Sequence, residues 1–236
     1  GETAQGYLEG VQEMSRAGFG EGQAKELAEL SILAQSAGDM TAELANQYLI
    51  ATNFAYGYEG SITKLNAVLD SQNQVTNRNA INMTELAEAT KIAGSQASQS
   101  GVEVDEMTAA MGTMMASTQP GGSIAGRAFK ALLMNLQQIS GEVDGEVIDE
   151  DSFKKVEKTL NNVGVAMETV VDGSAQLRDP IKILKELAGV YNSLPENSVD
   201  KADIISNVGG KYYGNQLSAL LSNWNMYEKI LSDYQN

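Results

Sequence analysis

From Asn82 to Ser140, apolar residues recur at helical spacing in three blocks separated by two breaks. The blocks predict helices over Asn82–Ser100, Glu103–Ser117 and Ser123–Ile139. The second break, residues 118–123, contains one proline and two glycines, which favour the end of one helix and the start of another. We therefore expect the rest of the chain to pack around these three helices.

Two of these helix starts carry side chains that suit an N-cap. Asn82 can accept hydrogen bonds from free backbone N–H groups, and Glu85, three residues later, can reach back to complete a capping box. Ser123 follows the Pro-Gly-Gly break and is predicted to cap the third helix. The small residues after it, including Gly126, would let that helix approach a neighbour closely.

Helical spacing also dominates the sequence before and after this stretch. The predicted fold class is therefore mainly α: a multi-helix bundle of about ten helices with one small β-hairpin at about 165–177. The hairpin is predicted from Asp172-Gly173 between residues 165–171 and 174–177, because this dipeptide readily adopts the positive φ angles of a type I′ turn. An isolated hairpin is marginally stable, so we expect it to lie against helices.

The chain is predicted to divide into two helical parts. Residues 1–140 form the first subdomain, 141–152 an acidic connection, and 153–236 a second subdomain with the hairpin and a C-terminal heptad helix. Within 141–151 there are six acidic residues and no Lys or Arg, which indicates a mobile acidic loop. A calcium loop is the weaker alternative, because Ser140 would occupy the first ligand position and a bidentate glutamate is missing at the last.

The last stretch carries apolar residues at alternating steps of four and three, which is the spacing of a heptad seam. If the helix is continuous, it spans about 36 Å. An ordinary amphipathic helix and a break near Asn223–Asn225 are the alternatives. The predicted interaction seam consists of seven residues: Tyr213, Leu217, Leu220, Trp224, Tyr227, Leu231 and Tyr234.

Four methionines form a stripe in the second central helix. Met107, Met111, Met114 and Met115 recur at helical spacing, and thioether side chains could provide an adaptable binding surface. A single apolar stripe more often faces the core, and we favour a buried face.

Composition excludes several kinds of chemistry. The sequence has no Cys and no His, so disulfides, Cys or His nucleophiles, structural zinc sites of the usual kind and a Ser-His-Asp triad are excluded. The net charge of −15 disfavours nucleic acid and anionic membrane as direct partners. No catalytic, cofactor or metal-binding residues are predicted. Because the chain begins at Gly1 rather than Met, we expect it to be a piece of a longer protein.

The order of these segments resembles the core region of tape measure proteins from long-tailed phages and prophages. The resemblance runs through Leu44–Asn53, Leu65–Asn77 and Thr84–Gly101, and it is strongest over Val102–Leu136. There a Gly-Ser-x-Ala-Gly pattern opens a helix, and the family-motif turn in this chain consists of Gly121, Gly122, Ser123 and Gly126. It continues through the predicted hairpin to Leu221, and no single motif in it is specific.

The resemblance implies a structural protein of the virion and not an enzyme. Family members are long helical proteins that lie in the tail tube and determine tail length. The implied partners are further copies of the protein, the tail tube, the tail tip or baseplate, and assembly chaperones. The implied location is the virion tail, and the bacterial cytoplasm during assembly. The alternatives are a helical protein–protein interaction adaptor unrelated to phage and, less favoured, a domain associated with a cell-wall hydrolase.

Overall fold

In the computed structural model, which describes residues 2–119 and 121–236, the chain is mainly helical, as predicted, with about 72% of it in helices. Pro120, part of the predicted break, lies outside the described residues. The described part contains twelve α-helices: α1 (Glu2–Arg16), α2 (Glu21–Gly38), α3 (Ala42–Tyr56), α4 (Ile62–Arg78), α5 (Met83–Gln99), α6 (Val104–Thr118), α7 (Gly122–Leu136), α8 (Glu150–Asn162), α9 (Pro180–Ser193), α10 (Val199–Asp203), α11 (Gly214–Ser222) and α12 (Trp224–Gln235). A single π-helical turn, Ile204–Val208, continues α10.

At several helix starts, the side chain of the N-cap residue accepts a backbone N–H from the first turn. The Thr41 hydroxyl accepts the N–H of Leu44 at 3.1 Å, and the Asn82 amide oxygen accepts the N–H of Glu85 at 3.1 Å. These bonds satisfy donors that have no partner within the first turn. The predicted cap at Asn82 is therefore confirmed.

The three predicted central helices are α5, α6 and α7, and they form the middle of the bundle. α5 packs against α7, α3 and α6. The methionine stripe of α6 is buried, with Met107 and Met111 fully inaccessible, so the prediction of a buried face is confirmed. The stripe is accordingly not an exposed binding surface.

The predicted hairpin is present as β3 (Glu168–Val171) and β4 (Ser174–Leu177), which pair antiparallel. Its turn residues Asp172 and Gly173 have φ angles of 51° and 80°, as a type I′ turn requires. The expectation that it lies against helices is wrong, because all eight strand residues are exposed. We call β3–β4 the exposed hairpin.

A further hairpin lies in the predicted acidic connection. Strands β1 (Gly141–Val143) and β2 (Glu146–Ile148) pair antiparallel, and Val143 and Ile148 are buried in the core. The prediction of a mobile acidic loop is wrong here, because an Asp-Gly turn closes the hairpin and two apolar side chains anchor it. We call β1–β2 the buried hairpin.

The two predicted subdomains share one contiguous hydrophobic core. α11 and α12, from the predicted second part, pack on α6, and α12 also packs on α4. Packing is therefore continuous across 141–152. Whether residues 1–140 and 153–236 unfold as separate units stays a prediction. Within the described residues, no helix combines the length and apolarity that a membrane span requires.

Candidate functional site

The family-motif turn lies where α7 meets α5. A Cβ built at Gly122 would overlap the backbone carbonyl of Glu85, and one at Gly126 would lie 3.0 Å from the carbonyl oxygen of Ala89. The two glycines are four residues apart and therefore occupy the same face of α7. Glycine at these positions lets the two helix backbones come into direct contact.

The start of α7 is held by α5. Gly121 is the N-cap residue and has no capping side chain, while the Glu85 carboxylate accepts a hydrogen bond from the backbone N–H of Gly122. The partial positive charge at a helix N-terminus favours a carboxylate at this place. Glu85 thus acts as a cap supplied by a neighbouring helix.

Two local predictions about this region are wrong. Ser123 does not cap α7: it lies inside the first turn, because the helix already begins at Gly122. Glu85 does not reach back to Asn82, since its carboxylate is engaged by Gly122. In both cases a tertiary contact replaces the local one.

The seven seam residues do not lie on one continuous helix. Asn223 interrupts the helical phase with φ −120° and ψ 38°, and its side-chain amide donates to the Ala219 carbonyl at 2.8 Å. The expected single C-terminal helix is therefore replaced by α11 and α12. A break near Asn223–Asn225 was one of the two alternatives to a continuous heptad helix, and the structure has this break.

The seam faces the interior of this chain. Leu231 and Tyr234 are partly buried against the core, and the other five are buried: Tyr213, Leu217, Leu220, Trp224 and Tyr227. Their helices pack on α6 of the same molecule. The seam therefore has an intramolecular partner in this structure, and self-association through it stays a prediction.

Ile230 is a core residue that the seam pattern missed. It is fully buried, and a Cβ at Gly112 of α6 would lie 3.3 Å from its Cδ1 atom. The break at Asn223 moves the phase of α12, so that Ile230 rather than Leu231 faces the centre. The absence of a side chain at Gly112 makes room for it, and this pairing could not be found from heptad spacing.

Two aromatic side chains stack on each other within α12. The rings of Trp224 and Tyr227 stack with centroids 4.2 Å apart. The Tyr227 hydroxyl is buried without a hydrogen-bond partner among the described residues. The pKa of Tyr227 is raised, mainly by burial of the hydroxyl and to a smaller extent by the nearby carboxylates of Glu106 and Asp105.

A polar cluster joins the end of α12 to α4. The Asp233 carboxylate accepts hydrogen bonds from Lys229 at 2.8 Å and from the Asn79 amide at 3.0 Å, and it lies 3.6 Å from the Arg78 guanidinium. The hydrogen bond from Lys229, with a smaller contribution from Asn79, lowers the pKa of Asp233. This cluster ties the last helix to the first half of the chain.

A buried hydrogen-bond network fixes the relative positions of four helices. Gln72 of α4 is fully buried; its amide oxygen accepts from Tyr48 at 2.5 Å, and its amide nitrogen donates to Thr90 at 3.1 Å and Thr108 at 3.0 Å. A satisfied buried network of this kind specifies one arrangement of its helices. Gln72 was not singled out from the sequence, although a glutamine among the apolar positions of a helix was the available signal.

The part of the chain that the structure describes contains no group of three or more Asp or Glu side chains arranged to hold a metal ion. Glu142, Asp144 and Glu146 belong instead to the buried hairpin and its turn. The Asp144 carboxylate pairs with Arg127 at 3.3 Å. Two of these acids therefore have defined partners in the fold, since the Glu146 carboxylate also accepts the backbone N–H of Lys211.

A family model described as phage-related minor tail protein matches residues 1–210 of the chain. The chain belongs to this family. The match includes the α5–α7 contact and both hairpins, and α11 and α12 lie beyond its end. No solved structure matches the chain.

Membership in this family confirms the prediction that the chain is a phage tail protein. It implies that the chain is a component of the virion tail.

Proposed function

We propose that this chain is a domain of a tape measure protein that acts in tail assembly and in the determination of tail length. The observation that carries the proposal is the family match over residues 1–210, which includes the Gly-Ser-x-Ala-Gly turn and the ordered helices by which the sequence resembles tape measure proteins. In this role the chain is structural and performs no catalysis. Its partners are further copies of itself, the tail tube, the tail tip or baseplate, and assembly chaperones. It is present in the cytoplasm during assembly and in the tail afterwards.

The compact bundle places a physical condition on this role. Its longest helix, α2, has 18 residues and spans about 27 Å. A folded domain of 236 residues is about 45 Å across, whereas the same chain as one continuous helix would span about 350 Å. The contribution of this domain to length therefore depends strongly on whether it stays folded in the tail.

A duplication experiment tests the proposal directly. The codons for residues 1–236 are duplicated in the full-length reading frame of the phage or prophage, and tail length is measured by electron microscopy. We expect tails longer by about 45 Å if the added domain stays folded, and by about 350 Å if it extends as helix. A synonymous recoding of the same segment is the matched control and should leave tail length unchanged. Tails of unaltered length that contain the enlarged protein would overturn the role in length determination.

A further inference from the structure

The exposed hairpin projects from the bundle with both of its edges open. All eight residues of β3 and β4 are exposed, and Val170 keeps 72% of its surface accessible. The ties to the bundle are at its base, where the Arg178 guanidinium donates to the Ala166 carbonyl at 2.8 Å and to Glu186 at 2.6 Å. The strands themselves are therefore free to meet another molecule.

The hydrogen-bond phase of the hairpin shows which backbone groups point outwards. Arg178 N–H donates to the Met167 carbonyl at 2.9 Å, so these two residues form a hydrogen-bonded pair. Antiparallel pairs alternate, and the neighbouring pairs that contain Glu168 and Val170 are therefore of the non-hydrogen-bonded kind. The N–H and C=O groups of Glu168 and Val170 consequently point away from β4, towards the open edge of β3.

The side chains of the same two residues share one face of the hairpin. Successive residues of a strand alternate between faces, so Glu168 and Val170 lie on the same side. Their cross-strand partners are Leu177 and Ala175, both exposed. The open edge of β3 is thus bordered by an apolar surface with one carboxylate at its end.

We propose that the edge of β3 binds an extended, basic segment of a different protein as a third antiparallel or parallel strand. Such strand addition takes affinity from main-chain hydrogen bonds and specificity from alternate side chains. A lysine or arginine of the partner would lie against Glu168, and an apolar side chain against Val170.

Charge identifies the class of partner. Strands β3 and β4 and their turn contain Glu168 and Asp172 but no Lys or Arg, and the adjacent Arg178 is paired with Glu186. The whole chain has a net charge of −15, so a second copy would bring like charges to the same edge. A basic strand from another protein avoids this repulsion. Binding of a basic strand at this edge does not depend on the proposed role in tail length.

The first experiment is an NMR titration of the ¹⁵N-labelled chain with a synthetic peptide. The probe is acetyl-Lys-Thr-Val-Lys-Val-Thr-Lys-amide, and the matched control replaces each lysine with glutamate. We expect the basic peptide to shift the amide signals of Glu168–Val171, and its affinity to fall when salt is added. Absence of shifts with the basic peptide, equal shifts with the acidic peptide, or shifts confined to another surface would overturn the proposal.

A pair of valine substitutions separates this edge from general charge effects. Val170→Lys places a like charge against the basic peptide and should weaken its binding about fivefold or more. Val199→Lys introduces the same charge at an equally exposed valine of α10, where 74% of the surface is accessible, and should leave binding close to that of the unmodified chain. Equal weakening by both substitutions would overturn the proposal. Circular dichroism checks that both variants remain folded.

Self-association is the competing outcome. If the unmodified chain alone shows concentration-dependent shifts of the Glu168–Val171 amides, the edge binds a second copy, and the assignment to a basic foreign strand is wrong.

Discussion

The two hairpins of this protein are closed by the same dipeptide in the same conformation. Asp144-Gly145 closes the buried hairpin with φ angles of 48° and 85°, and Asp172-Gly173 closes the exposed hairpin with 51° and 80°. Both have two turn residues, and their strands are three and four residues long. The turn chemistry is therefore common to both and does not explain how differently they relate to the bundle.

Contact with the core distinguishes them. In the buried hairpin Val143 and Ile148 enter the core, and the Glu146 carboxylate accepts the backbone N–H of Lys211 at 3.1 Å. In the exposed hairpin Val170 and its neighbours point into solvent. A short hairpin can thus be specified locally by its turn, while its share in global stability depends on what its strands bury.

The largest expected effect tests this difference in burial. Ile148→Ala should lower the free energy of unfolding by about 3 kcal/mol, because it removes buried methyl and methylene groups from the core. Val170→Ala in the exposed hairpin should change it by less than about 0.5 kcal/mol. Urea unfolding followed by circular dichroism measures both. Val147→Ala, on the solvent side of the buried hairpin with 62% of its surface accessible, is the control and should resemble Val170→Ala. Similar effects of Ile148→Ala and Val170→Ala would show that burial does not distinguish the two hairpins.

A smaller effect is expected from matching substitutions in the two turns. Gly145→Ala and Gly173→Ala both place a side chain at positive φ where no atom lies within 4 Å of the new Cβ, so backbone strain is the common cause. We expect Gly145→Ala to lower the free energy of unfolding by about 1 kcal/mol.

At Gly173 the same backbone strain should destabilise only the exposed hairpin and not the whole fold. Gly173→Ala should speed hydrogen exchange of those hairpin amides that are bonded across the strands, while the urea midpoint stays nearly constant, because a hairpin without buried side chains can open independently of the core. Equal shifts of the urea midpoint in both variants would show that the exposed hairpin is coupled to the bundle after all.

The smallest effect concerns the ion pair at the base of the exposed hairpin. A hydrogen bond from Arg178 lowers the pKa of Glu186 below its ordinary value of 4.5. A carboxylate with a depressed folded-state pKa contributes stability above its unfolded-state pKa and loses that contribution as the pH falls through its folded-state pKa. We therefore expect the hairpin base to loosen below about pH 4.5. At this accessible position the contribution is about 0.5 kcal/mol.

Hydrogen exchange of the hairpin amides measured between acid and neutral pH checks this prediction. The quantity compared is the protection of each amide relative to an unfolded chain at the same pH. Glu186→Gln should remove the loss of protection that occurs in acid. The matched control is Asp144→Asn, which removes the 3.3 Å ion pair between the turn of the buried hairpin and Arg127 of α7. It should leave exchange in the exposed hairpin unaltered. An acid response that persists in Glu186→Gln would assign the loosening to another group.

Much of the helical organisation was predictable from periodicity and caps. The three central helices appear close to their expected bounds, Asn82 caps α5, and the methionine stripe of α6 is buried. These features depend on residues close to one another in sequence, so local patterns are sufficient to find them. The exposed hairpin was found for the same reason, because its Asp-Gly turn directly follows the β-branched residues Thr169–Val171.

The buried hairpin was missed although it has the same turn dipeptide. Its strands carry Glu142 and Glu146, and acidic residues are unfavourable for strands in general. One inward residue on each strand, Val143 and Ile148, outweighs this preference because the core receives both. Only the position of the bundle beneath the hairpin makes that contact available.

The family-motif turn shows the same division between local and tertiary causes. The sequence indicated a helix with small residues for close approach, and Gly122 and Gly126 indeed permit contact with α5. It did not indicate that Glu85 of that neighbouring helix would cap α7 in place of Ser123. A carboxylate 37 positions earlier in the chain becomes the nearest acceptor only after the helices have crossed.

The fold class, the approximate bounds of the three central helices, the exposed hairpin and the resemblance to a family of phage tail proteins could all be inferred from the sequence. These follow from spacing, caps and turn dipeptides, which act over a few residues. The tertiary structure alone decided that the C-terminal seam breaks at Asn223 and packs on α6, that Ile230 enters the space beside Gly112, and that the acidic segment folds onto the core. Those outcomes depend on which surfaces meet when helices distant in sequence pack together, and hydrophobic burial rewards any partner that covers an apolar face.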